Sequence, residues 1–233
     1  MALAKFWSPA GGPLAVAPYP ERREWRRNWA DRFLSGLAGA LRAAARPRRL
    51  ADRRFVDAVI AGCEARDDAP PEALRAEAER LRAALLRRGF ETPTLVEALG
   101  LVAQVSRREL GLAPRPVQIH GARLLLQGVM LEMATGEGKT LTAMLAASVA
   151  AMAGLPTHVV TVNGYLAARD RARNAPVYAA LGLSSAAVTD GDSEAERRAA
   201  WACDVVHVDN KLAAFDYLRD RLAVGRRRGA ARA

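Results

Sequence analysis

Cysteine is scarce: Cys63 and Cys203 are the only two in 233 residues, far apart and with no CxxC spacing. Histidine is equally sparse, and His120, His158 and His207 are dispersed rather than clustered. A zinc site needs several such ligands close together, so none is expected; the thiols read as core residues and the histidines as structural. Also lacking is any stretch of about 18 apolar residues that could span a bilayer. The opening Met-Ala-Leu-Ala-Lys-Phe-Trp has no apolar h-region of the signal-peptide kind. The expectation is a chain that is cytosolic or bound peripherally to a membrane. No internal repeat and no long low-complexity segment stands out.

What is present is a foldable, basic chain. Hydrophobic residues make up 51% of it, enough for a sizeable core, while 35 Lys and Arg outweigh 25 Asp and Glu to give a formal charge of +10. That excess points to an anionic partner, whether nucleotide, acidic lipid or nucleic acid, without choosing among them.

Organisation changes along the chain. Residues 1–20 read as an irregular arm, because Pro9 to Pro20 is rich in Pro and Gly. From 21 to 114 the pattern is helical. Its first helix, Glu21 to Arg46, stacks Trp25, Trp29, Phe33, Leu37 and Leu41 on one face, with Arg22, Arg23, Arg26 and Arg27 opposite. Tryptophans backed by guanidinium groups suit an anionic membrane surface; an ordinary helix packed on its own protein shows the same stripe. Further helices are expected at Asp52 to Glu64, Glu72 to Arg88 and Leu95 to Leu110. The last has Thr94 and Glu97 spaced for a capping box, and Gly111 placed for a left-handed stop.

After Pro116 short apolar runs alternate with helical ones, the signature of βαβ units and a parallel sheet. Strands are expected at Val129 to Met133, Thr157 to Val162, Ser185 to Val188 and Asp204 to Val208. Helices are expected at Gly138 to Ala153, Tyr165 to Leu181 with a break near Pro176, Glu194 to Ala202 and Asn210 to Leu222. Ser193 and Glu196 form a second capping-box pair. Residues 115–222 thus read as a nucleotide-binding domain, and 223–233, with Arg226 to Arg228, as a frayed basic tail.

The chemistry concentrates in Met133-Ala-Thr-Gly-Glu-Gly-Lys-Thr140, between an expected strand and an expected helix, which is the context a P-loop requires. Gly136 and Gly138 let backbone N–H groups turn around a phosphate, and the helix start adds partial positive charge. Lys139 offers a point charge to the β and γ oxygens, and Thr140 a hydroxyl ligand for Mg²⁺. Thr135 and Glu137 complete the loop, Glu137 as a solvated side chain or a water activator. Met133 replaces the first glycine of the usual pattern. The fold class follows: an α/β P-loop NTPase, RecA/helicase-like, with a parallel sheet and an N-terminal helical extension.

Around this loop the chain resembles the SecA family of protein-export motors. Val117-Gln118, the loop itself, Val159-Val-Thr-Val-Asn-Gly-Tyr-Leu-Ala-Ala-Arg-Asp170 and Phe215-Asp-Tyr-Leu-Arg-Asp220 occur in that family's order and at about its spacing. The resemblance implies that Gln118 reads the adenine edge of ATP and that Mg²⁺ accompanies the nucleotide. As partners it implies the SecYEG channel, preproteins and anionic lipid, the latter through Arg22, Trp25, Arg26 and Trp29, at the inner face of a bacterial cell membrane. A homo-oligomer or a complementary C-terminal chain is also compatible with it.

Departures from the family pattern are Ala134 for arginine, Gly164 for aspartate, and Asp209-Asn-Lys211 for Thr-Asn-Asn. The family's Asp-Glu-Ala Walker B motif and second motor domain are not found in these residues, so the expectation is a chain that binds ATP and turns it over poorly. Asp209 follows an apolar strand, as a metal ligand would, and precedes Asn210, as a helix cap would. Two other readings stand beside the motor: a non-enzymatic module docking on membrane or SecY, and a relative of helicase-like nucleic-acid motors. The second is disfavoured because no basic-aromatic platform for single strands is visible.

Overall fold

The computed structural model describes residues 48–230, with side chains from 52 to 222. The expected arm over 1–20 and the helix carrying Arg22, Trp25, Arg26 and Trp29 lie outside the described residues.

Four helices come first: α1 (Arg48–Glu64), α2 (Pro71–Arg88), α3 (Thr92–Leu110) and α4 (Pro116–Leu126). Three of them place proline in the first turn, where its missing N–H costs nothing. The α3 helix is the hub, burying Leu95, Leu99, Leu101, Val102 and Val105 almost completely. Its contact with α1 is close because Gly62 meets Gly100: a Cβ on Gly100 would come within 3.3 Å of the Gly62 backbone. At its end Gly111 takes the left-handed conformation, φ 67°, that the sequence called for.

The capping box expected from Thr94 and Glu97 does not form. Pro93 starts the helix earlier, at Thr92, which leaves Thr94 inside it and buried, and Glu97 turns to Arg80 instead. The other capping box, Ser193 with Glu196, is present with both reciprocal bonds.

After α5 (Lys139–Met152), strands and helices alternate: β1 (Thr157–Thr161), α6 (Gly164–Ala180), β2 (Ser185–Val188), α7 (Glu194–Trp201), β3 (Val205–Asp209) and α8 (Asn210–Ala230). The strands form a parallel sheet in the order β1-β3-β2, with Thr157 opposite Val205 and Ser185 opposite the same residue. All five residues of β3 are buried, as a central parallel strand requires.

The strand expected at Val129 to Met133 is not formed. A strand exists only through a partner, and this segment pairs with none of the three strands, while Val129 and Met130 stand exposed. The break expected near Pro176 is also absent. Burying Val177 and Tyr178 completely holds the last turn of α6 in place, against a cost of about 3 kcal/mol for an interior proline. Helix α8 runs to Ala230, past the Leu222 end expected for it, carried by Arg226 to Arg228, which favour helix, across Gly225 and Gly229, which do not.

One apolar core runs from Phe55 in α1 through α3, α5 and α6 to Val205 in β3. A smaller cluster, Val188, Ala200, Val206, Val208 and Leu212, fills the other face of the sheet. The helical segment and the loop-bearing layer therefore share their packing, which fixes α4 against the start of α5.

Candidate nucleotide-binding site

The loop of residues 133–138 leads from an extended segment into α5. Gly136 and Gly138 have φ of 89° and 83°, in the left-handed region where a side chain is strained. Of the loop amides between Thr135 and Thr140, the Glu137 N–H alone finds a carbonyl, that of Ala134 at 3.3 Å. The remaining amides stand at the N-terminus of a 14-residue helix whose dipole favours negative charge. Lys139 folds its ammonium back on the same Ala134 carbonyl, at 3.2 Å. Unpaired amides, a helix start and a cation beside them are an arrangement that suits an anion.

Gln118 is built into this loop. Its Oε1 accepts from the Arg115 N–H at 2.9 Å and its Nε2 donates to the Glu137 carbonyl at 2.8 Å, with the residue 5% exposed. The amide sits where a Cβ on Gly138 would fall. Glycine at 138 is therefore required twice, for its φ and for the room it leaves to Gln118. One N–H and one lone pair of the amide remain for a further partner.

A cavity of ≈ 390 Å³ opens over the loop, walled by Gln118, Thr135, Gly136, Gly138, Lys139 and Thr140. The structure thus brings together every expected loop residue except Glu137, which contributes its carbonyl to Gln118. Leu110 and Leu112 from the end of α3, and Arg173 and Asn174 from α6, complete the wall. Sequence reasoning missed these four because only packing carries α3 and α6 to the loop. A smaller cavity of ≈ 180 Å³ lies alongside, sharing Lys139, Thr140 and Asn174 and reaching Asp170, Tyr178 and His207. A third cavity, ≈ 280 Å³ between α2 and α3, has no loop amides in its wall; its Arg75 and Arg108 are bonded to the carbonyls of Ala179 and Ala69.

Asp209 acts as a cap: its Oδ1 accepts from the Leu212 N–H at 2.8 Å. Its other oxygen faces Gly164, where a Cβ would come within 3.7 Å. Two departures from the family pattern are thus neighbours in space. Of the histidines, His158 packs edge-on against Trp201, with ring centroids 5.0 Å apart, and burial depresses its pKa. His207 is fully buried on β3. Burial raises the Cys63 thiol pKa, as for a core cysteine. No group of three or more metal-ligating side chains occurs among the described residues. Nor is any helix there long and apolar enough to cross a membrane.

Comparison with known proteins bears on this site directly. Residues 41–233 match the family described as the SecA DEAD-like domain. The chain is 43% identical over 210 residues to protein translocase subunit SecA 2 of Nitrosospira multiformis, covering 90% of this chain and 32% of that protein. It is 39% identical over 211 residues to subunit SecA 3 of Magnetococcus marinus, with the same two coverages. With the chloroplastic SecA of Ostreococcus lucimarinus it shares 44% identity over 150 residues, 64% of this chain and 16% of that one. The chain spans about a third of the length of the first two relatives.

Proposed function

The chain belongs to the SecA family, with an α/β P-loop fold, and on that premise we propose that it is the ATP-binding part of a motor that couples ATP hydrolysis to protein export. The observation that carries this reading is the loop of unpaired amides at the start of α5, with Lys139 beside it.

The residues present fit a magnesium nucleotide. The N–H groups of Gly136, Gly138, Lys139 and Thr140 donate to no internal carbonyl and suit phosphate oxygens. Lys139 exchanges the Ala134 carbonyl for β and γ oxygens, gaining a charged partner for a neutral one. Thr140 offers its hydroxyl to Mg²⁺, which when bound neutralises charge on the phosphates. Gln118, clamped between Arg115 and Glu137, presents its remaining amide valences to the adenine edge, so that base recognition and loop conformation are tied through one side chain. Leu110 and Leu112 supply apolar surface in the same wall.

Hydrolysis needs a second carboxylate near Mg²⁺ and a positioned water. Asp209 is engaged in capping α8, so these residues by themselves bind nucleotide and turn it over slowly. In the whole protein, the SecYEG channel, preproteins and anionic lipid are the partners of this reading, at the inner face of the cell membrane.

Isothermal titration with Mg·ATP tests it. Lys139→Ala is expected to lower affinity about tenfold to a hundredfold, the worth of one charge-assisted hydrogen bond. Unchanged affinity would remove the proposal.

A further inference from the structure

Asn174 is the polar group that the site leaves unexplained. It is 3% exposed, and its carboxamide adjoins the Tyr178 hydroxyl. An amide carries two donor hydrogens and two acceptor lone pairs, so its contact with Tyr178 leaves capacity for a ligand. It also lines both cavities beside the loop.

Its position along the nucleotide follows from which residues the two cavities share. The larger holds Gln118, Leu110 and Leu112, the wall assigned above to the base, together with Lys139 and Thr140. The smaller keeps Lys139 and Thr140 and lacks the first three. Asn174 belongs to both and therefore stands at the phosphate end. Arg173, its neighbour in the larger cavity, is exposed, whereas Asn174 is fixed by packing.

Behind it the support is rigid. Tyr178, one helical turn on, is fully buried, and its hydroxyl lies 3.2 Å from His207 Nε2 on β3. Burial keeps His207 neutral, with its pKa pushed down to about 4, and raises that of the Tyr178 phenol, a rise that hydrogen bonding with the Asn174 side chain tempers. His207 Nδ1 is itself buried and unpartnered.

We propose that Asn174 is a further nucleotide-binding residue, its carboxamide meeting the polyphosphate–Mg²⁺ end of the ligand. A neutral amide suits the place chemically. Nδ2–H donates to a phosphate oxygen while Oδ1 accepts from a water on the metal, which no carboxylate or ammonium group does at once. The nearby carboxylate, Asp170, borders the smaller cavity alone and is held by Arg169 at 2.7 Å. Tyr178 is a positioning residue, acting through Asn174. The inference rests on the ATP-binding reading above.

The test titrates the full chain with Mg·ATP, Mg·ADP and adenosine. Asn174→Ala is expected to weaken both magnesium nucleotides about fivefold to tenfold, and Asn174→Asp, which sets a negative charge against the phosphates, more strongly, with adenosine unaffected in each. Tyr178→Phe should move the same ATP-to-adenosine ratio in the same direction by a smaller factor. In the wild-type chain the Asn174 side-chain amide resonances should shift with Mg·ADP and stay put with adenosine, a readout independent of any variant's folding. Failure of the wild type to bind Mg·ATP overturns the ATP-binding reading. Normal wild-type binding overturns the Asn174 assignment if the variants leave the ratio unchanged, or if the resonances shift equally with adenosine.

Discussion

Replacing Gly138 by alanine separates two costs that the structure lays one on the other. The first is conformational: φ 83° is left-handed, and a β-carbon there costs about 1–2 kcal/mol. The second is local. The new methyl falls on Gln118 Nε2, which must leave the Glu137 carbonyl, and unpairing buried polar groups costs about 1–3 kcal/mol. Together Gly138→Ala should lower stability by about 2–5 kcal/mol. Gly136→Ala supplies the control, since its φ is 89° but nothing lies within 4 Å of its Cβ. It should cost only the conformational part, about 1–2 kcal/mol. Urea denaturation of each variant, alone and in a Gln118→Ala background, measures the coupling directly. In that background Gly138→Ala should cost no more than Gly136→Ala. An equal cost with and without Gln118 would refute the reasoning that the glycine exists to admit the glutamine.

Other expectations concern the end of the central strand and the buried histidine. Gly164→Asp should destabilise the fold by about 1–2 kcal/mol, because it sets a second carboxylate near Asp209 Oδ2, and adding Asp209→Thr should recover most of the loss; thermal melts of the four proteins would expose the idea as wrong if the two effects simply add. His207 is neutral in the fold and takes a proton in the unfolded chain below its ordinary 6.5. Stability should therefore be full above pH 6.5 and fall toward pH 4, by up to about 3 kcal/mol. Burial is the first cause; Asp170 opposes it and Arg171 adds to it. Denaturant midpoints in His207→Gln should lose that part of the slope, and an unchanged slope would assign it to other groups.

Local grammar was legible where a motif carries its own partners. Ser193 and Glu196 cap each other within four residues, and Gly111 needs only its own φ to end α3. Residues 133–140 read as a phosphate loop because the amides, the glycines and Lys139 lie in one run. The same grammar failed where a competitor lay outside the window. Arg80 holds Glu97, and Val177 and Tyr178 hold the turn that Pro176 would break. The segment from Val129 to Met133 is apolar enough for a strand, yet it pairs with none of β1, β2 and β3, and pairing is a tertiary matter.

By itself, then, the sequence determined the loop, the alternation of strands and helices, and through its wording the family. Those features depend on spacing along the chain, and spacing is what a sequence records. Tertiary structure alone decided that Gln118 clasps the Glu137 carbonyl, that Asp209 faces Gly164, and that Leu110, Leu112 and Asn174 close the wall around Lys139. These residues meet because one apolar core draws α3, α5 and α6 together, and burial of that kind is non-directional along the chain, leaving no fixed interval from which the encounters could be read.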